Sequence, residues 1–248
     1  MIPKTRDSRI ASWVLSAPLL VFFALMLGYP LFVGLQTSMS LNQLSEPIVT
    51  FSGFDNFLNI LSDPDFWGSI TFTLQFAFLA TAIQLVLGFL LALVFDRKIS
   101  GKGALFSAVL VPIMIAPSLM AVMYRLLLNQ NIGAVPAVFS VFGIEVSLFD
   151  PANVFPLLIL LDCIQFIPFT FLLFYASLQN IPDELYEASS IDGGSYAQTI
   201  WSIVLPMLRP AIVVIILLRV LESIRNFDVI YILTGGGPGT TTQTVGIF

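Results

Sequence analysis

IPDELYEASSIDGGSYAQTIWSIVLPMLRP, residues Ile181–Pro210, is the stretch whose reading decides the fold, because it lies between two apolar runs and carries the signals of a folded object. Pro182 suits a first helical position, and Asp183 and Glu184 put negative charge on the first turn, where the helix dipole favours it. Gly193 and Gly194 supply the left-handed backbone that closes a helix, and Ser195 with Gln198 three residues on reads as a capping box opening a second. Pro206 is expected to break that second helix, with Pro210 at the start of the next apolar run. The prediction is helix, Gly-Gly turn, helix.

An amphipathic hairpin lying among lipid headgroups is one reading of this element, and a basic face would favour it. The segment instead has Asp183, Glu184, Glu187 and Asp192, with no Lys or Arg before Arg209. An acidic helix beside a membrane is better explained as a docking surface for a protein with basic residues.

Working outward, the 248 residues are 57% hydrophobic and 10% charged, with mean hydropathy +0.95. Soluble chains carry about 25% charged residues, so this is an all-α integral membrane protein. The lone Cys163 and the absence of His exclude a disulfide within the chain and Cys-based zinc, and remove the usual metal ligand and general base. No metal site and no catalytic residue are expected.

Five apolar runs are read as spans, over about 13–36, 69–95, 104–128, 154–176 and 211–233. The first follows a basic amino-terminal stretch, residues 1–12, and at about 24 residues it exceeds a signal-peptide core and suffices for a bilayer of roughly 30 Å. Pro18, Gly28 and Pro30 are tolerated there as kinks. Lys4, Arg6 and Arg9 precede this run, and Arg97, Lys98 and Lys102 follow the second, whereas loops 37–68 and 129–153 contain acids such as Glu46 and Asp55 and no base. Positive charge marks the cytoplasmic side, so the amino terminus, the Asp96–Lys102 loop and the hairpin within 177–210 are expected there. Arg125, near the outer end of the third run, is expected to snorkel outward.

Ionisable residues inside the runs are expensive and should face protein or water. Arg219, Glu222 and Arg225 recur every three residues, with Asn226 and Asp228 beyond. They read either as an Arg219–Glu222 ion pair with packing partners or as the polar lining of a solute path. Asp162, with Gln165 three residues on, poses the same choice, and there a hydrogen bond between helices is the simpler reading. Phe166, Phe169, Phe171 and Phe174 crowd the same run, and the sequence does not single out one as a sugar-stacking ring.

Thr234-Gly235-Gly236-Gly237-Pro238-Gly239 lacks the Gly-Lys-Ser/Thr ending of a phosphate loop, and Gly101-Lys102-Gly103 is equally incomplete. No ATP site is expected in this chain.

Glu187-Ala188-Ser189, Asp192-Gly193 and Ile203-Val204-Leu205-Pro206 together resemble the EAA loop of binding-protein-dependent ABC importer permeases, with Ser189 and Gly194 where Ala is commoner. The run Phe227-Asp228-Val229-Ile230-Tyr231-Ile232-Leu233 and the Gly-rich segment 234–248, read as an external loop, resemble the sugar-type importers. Within these the likeness is to the maltose and glycerol-phosphate kind. The resemblance covers about residues 13–248. It implies a permease domain over 13–233, in a bacterial or archaeal inner membrane, and an ATPase-docking role for Glu184, Glu187, Ala188, Ser189, Asp192, Gly193, Gly194 and Pro206. It also implies partners: a second permease, a cytoplasmic ATPase dimer binding ATP and Mg, an external solute-binding protein and a small polar solute, with lipid around them and no nucleic acid. Family members have a sixth span after the Gly-rich loop; its absence here is expected to reflect a truncated sequence.

Two other classes compete. An ion-coupled carrier would use Asp162, Glu222 and Asp228 as an acidic relay, but it leaves the capped hairpin unexplained and wants an internal repeat. An intramembrane enzyme would need an Asp pair, and no motif supports one.

Overall fold

A computed structural model describes residues 6–41, 50–97, 100–144 and 147–248. Lys4, Glu46 and Lys98, counted above among the loop charges, lie outside them. The chain divides into two compact units, residues 1–64 and 65–248.

In the first unit, helix α1 (Arg6–Phe23), a π-helical turn (Ala24–Gly28) and α2 (Tyr29–Ser38) form one apolar rod. Pro30 has no amide to donate and its ring crowds the preceding turn; the wider π turn ahead of it makes room without ending the helix. No side chain from Trp13 onward along this rod is buried, and most are exposed. The polar loop that follows has structure of its own. β1 (Ser40–Leu41) pairs antiparallel with β2 (Thr50–Phe51), Ser40 opposite Phe51. Asn56 of α3 (Asp55–Leu61) ties down the end of α2 and β1, its Nδ2 donating to the carbonyls of Ser38 and Ser40 at 2.9 and 3.1 Å.

The second unit is built on α4 (Pro64–Asp96) and α8 (Pro151–Leu178). They run parallel: Phe72 meets Phe155, Phe89 meets Phe174, and Gln179 Nε2 donates to Asp96 Oδ1 at 2.8 Å. Gly88 allows the close crossing, since a Cβ there would fall 2.2 Å from Thr170 Oγ1. That hydroxyl donates to the Gln84 carbonyl at 2.9 Å, and both helices are apolar enough to span a bilayer.

The third expected span, 104–128, is not one helix. It divides into α5 (Lys102–Leu110), a 3-10 turn (Pro112–Met114) and α6 (Pro117–Leu127), with Ile115 and Ala116 extended between them. Pro112 and Pro117 each remove an amide, and Pro117 drives Ala116 out of helical geometry. The break leaves the Ile115 carbonyl without a helical partner, and Gln165 Nε2 of α8 reaches it at 3.3 Å. A freed carbonyl at membrane depth needs such a donor. Helix α7 (Ala134–Val141) follows.

The expected fifth span is displaced and divided as well. After α9 (Asp183–Ile191), the helix that starts as α10 (Tyr196–Thr199) passes through a π turn (Ile200–Val204) into α11 (Leu205–Ile224) without a break. Pro206 was expected to stop it. The π turn directly ahead of Pro206 relieves the clash, as it does before Pro30, and the run becomes one span-length helix over Tyr196–Ile224. It ends instead at Arg225–Phe227, and α12 (Asp228–Thr234) turns off to pack on α6. Arg125 of α6 is held there, its Nη1 donating to the Ile232 carbonyl at 3.1 Å. Among the described residues four helices are long and apolar enough to cross a membrane.

Two apolar clusters fill this unit. One joins Phe72, Phe76, Leu158, Leu161, Ile230 and Leu233; the other joins Ala92, Phe95, Phe171, Phe174, Val204 and Leu208. In chain order along α4, α8 and α11–α12, the buried polar residues Gln84, Asp162 and Arg219 fall between them.

Gly88→Val tests the α4–α8 crossing: overpacking should cost about 1–3 kcal/mol. It should lower the thermal transition of the detergent-solubilised protein, with part of the loss recovered on pairing with Thr170→Ala.

Candidate functional site

The hairpin takes the form its residues dictate. Asp183 and Glu184 sit in the first turn of α9, with Pro182 capping it in extended geometry. Asp192 ends the helix and Gly193 takes φ +76°, a conformation that a side chain would strain. Gly194 donates its amide to the Ser189 carbonyl at 2.9 Å. The capping box is formed: the Ser195 amide donates to Gln198 Oε1 at 2.7 Å, and the Gln198 amide to Ser195 Oγ at 3.4 Å.

Ser189 and Thr199 clamp the two arms together, their hydroxyls 2.7 Å apart, so Ser189 and the half-buried Gly194 are internal to the hairpin. Glu184, Glu187, Ala188 and Ile191 recur at helical spacing and are all exposed, Ile191 by 85%. Asp192 and Gly193 extend this outer face; Pro206 lies within the helix that follows. Sequence reasoning missed Ile191, although its position three residues after Ala188 was a signal.

The hairpin and the basic loop after α4 lie at the same end. The Arg97 guanidinium stacks 4.6 Å over the Tyr196 ring and the Lys102 ammonium 4.9 Å over Tyr175. Burial beside Asp96, Tyr196 and Asp183 pushes the Tyr186 phenol up to about 12, so it stays a neutral packing group. The Gly-rich segment is at the other end: Val245 donates its amide to Thr73 Oγ1 at 3.1 Å and Phe248 packs on Phe66.

Deeper in the unit, Arg219 is 1% exposed and pairs with Asp162, Nη2 to Oδ2, at 3.4 Å. Its Nε donates to Gln84 Oε1 at 2.7 Å, Gln84 Nε2 donates to Asp162 Oδ2 at 2.6 Å, and Asn226 Nδ2 to Asp162 Oδ1 at 2.8 Å. Ser223 Oγ accepts from Nη2 at 3.3 Å, and the guanidinium covers the Phe166 ring at 4.2 Å. A buried ion pair is tolerable only when its remaining donors and acceptors are met, and this one is met from three helices.

The Arg219–Glu222 pair, one of the two readings of this stripe, does not form. Glu222 pairs with the exposed Arg225 at 3.8 Å instead. Arg219 is turned inward, where Asp162, Gln84 and Ser223 take its donors, while Glu222 stays on the exposed side of α11. Glu222, Arg225, Asn226 and Asp228, with Phe166 and Phe227, line a polar cavity of about 160 Å³. Arg219 and Asp162 stand behind it as its support. A small-molecule site generally needs about 300 Å³ or more, so in this conformation the cavity is too small to enclose a disaccharide. Of the four rings Phe166, Phe169, Phe171 and Phe174, Phe166 is the one that lines the cavity. Gln84 was missed too, though an amide in an otherwise apolar run was the available signal.

Residues 8–247 match the family described as binding-protein-dependent transport system inner membrane component. The chain is 32% identical to the trehalose/maltose transport system permease protein MalF of Thermococcus litoralis over 98% of its length and 83% of the relative's. It is 31% identical to the trehalose transport system permease protein SugA of Mycobacterium tuberculosis, covering 96% and 77%. A bacterial alginate ABC transporter solved with an alginate pentasaccharide-bound periplasmic protein superposes with a TM-score of 0.78 at 25% identity, covering 98% of this chain and 83% of that one.

Arg219→Leu leaves Asp162 and Gln84 buried without their partner and should cost about 3–5 kcal/mol. Folded protein in the membrane, measured by protease protection, should fall; the double change Asp162→Leu/Arg219→Leu should restore much of it.

Proposed function

We propose a function from one premise: the chain belongs to the family of binding-protein-dependent transport system inner membrane components. It is a multi-pass permease subunit of a sugar-type ABC importer, and the likeness to such permeases favours ATP-driven import over an ion-coupled carrier.

The finer assignments are our reading. The hairpin faces the cytoplasm, as the basic amino terminus and the Asp96–Lys102 loop argue. A separate ATPase dimer, which binds ATP and Mg, grips the outer face of α9: Glu184 and Glu187 meet basic residues, and Ala188 and Ile191 fill an apolar depression. One observation carries this. The exposed acidic and apolar face sits on a hairpin whose second arm runs unbroken into the helix that bears Arg219.

Closure of the ATPase dimer then moves the hairpin as a lever. The motion passes along α11 to the buried Arg219–Asp162 layer and opens the cavity beside Phe166. The solute, a sugar of the trehalose or maltose kind handed over by an external binding protein, passes between this chain and a second permease. Its hydroxyls suit Glu222, Asn226 and Asp228, and Phe166 offers an apolar face.

Glu187→Lys and Ile191→Asp should each lower uptake by roughly tenfold or more, a loss of about 1.4 kcal/mol or more in coupling, while membrane insertion is unchanged. Uptake of labelled trehalose into ATP-loaded vesicles, with ion gradients collapsed, measures it. Normal uptake by both variants would reject the lever.

A further inference from the structure

A second cavity, an apolar groove, opens on the surface of the same unit. It encloses about 530 Å³ among Leu85, Phe89 and Leu93 of α4, Phe174 of α8, and Ile200 and Leu205 at the start of the long helix. From Leu85 to Leu93 it is roughly 12 Å long at 1.5 Å per residue. Spread over that length, its volume gives a cross-section of roughly 44 Å², about half that of a helix roughly 10 Å across. An extended hydrocarbon chain fits within the groove.

The mouth of the groove has the chemistry of the membrane surface. Tyr196 and Trp201 form its rim, and Trp201 is 73% exposed. Amphipathic rings of this kind settle at headgroup level. The Arg97 guanidinium lies directly over the Tyr196 ring, so a cation stands beside the apolar groove that this ring lines. The neighbouring carboxylate, Asp96, already accepts from Gln179.

We propose that this groove is a binding site for one anionic phospholipid of the leaflet on the hairpin's side, with an acyl chain between α4 and the Ile200–Leu205 turn and its phosphate on Arg97. The apolar walls take the chain, and the guanidinium selects the headgroup. The lipid then touches the π turn through which the hairpin joins α11. Its occupancy stiffens the lever where the helix is widest.

The test uses the intact complex reconstituted in lipid nanodiscs with diazirine-chain phosphatidylglycerol or diazirine-chain phosphatidylcholine at equal mole fraction. Photoadducts are mapped by mass spectrometry. Peptides spanning residues 85–93 and 200–212 should carry about five times more phosphatidylglycerol than phosphatidylcholine, the preference expected of one cation near the surface. Arg97→Gln should reduce phosphatidylglycerol labelling to the phosphatidylcholine level, and Arg97→Lys should keep most of it. Leu90 also lines the groove, and Leu90→Trp, which fills it, should remove both. Equal labelling by the two lipids in the unaltered protein means ordinary surrounding lipid and overturns the proposal, as does labelling that Arg97→Gln leaves unchanged. Adducts absent from these peptides, with crosslinks from them to a neighbouring subunit, mean that protein covers the groove and overturn it equally.

Discussion

The buried contact between Arg219 and Asp162 is the constraint on which the second unit depends. An unmet guanidinium or carboxylate inside an apolar bundle is expensive, so α4, α8 and α11 must stand at the depths that bring Gln84, Asp162 and Arg219 together. This fixes sliding along the helix axes, which apolar packing alone leaves loosely specified. The two Phe-rich clusters, at opposite ends of α4 and α8, then fill the space above and below the polar layer. Gly88 supplies the remaining condition by letting α4 and α8 approach closely enough for Thr170 to reach the Gln84 backbone.

Proline is handled in two ways, and the difference matters for function. Pro112 and Pro117 interrupt their helix outright, and Gln165 of a neighbouring helix satisfies the exposed Ile115 carbonyl. Pro30 and Pro206 instead follow a π turn, and the helix continues. A continuous helix transmits displacement where a broken one absorbs it. In the proposed lever the long helix from Tyr196 to Ile224 links the hairpin to the polar layer, with its least regular turn next to the groove and the Arg97–Tyr196 stack.

Charge is arranged by depth as well as by side. Cations at the hairpin end lie over tyrosine rings, with heads at the surface and apolar faces toward the protein. Arg219 is the exception, buried because it is paired, and its own ring partner, Phe166, forms part of the polar cavity. The same residue that stabilises the bundle thus also holds one wall of that cavity through its contact with Phe166.

The sequence by itself determined the membrane class, the helical hairpin with its Gly193 turn and Ser195–Gln198 box, the α4 and α8 runs and the family likeness. All of these rest on short-range signals: hydropathy over a span length, capping residues a few positions apart, glycine where φ is positive. Only the tertiary structure decided that Pro206 does not end its helix, that 104–128 divides at Ile115–Ala116, and that Arg219 answers to Asp162 and Gln84 and not to Glu222. The Arg219 outcome depends on partners 57 and 135 residues away in the chain, and the break at Ile115 on one 50 residues away. Whether a π turn, a neighbour's amide or a distant carboxylate is available to satisfy a buried polar group is a property of the packed helices, and no local pattern carries it.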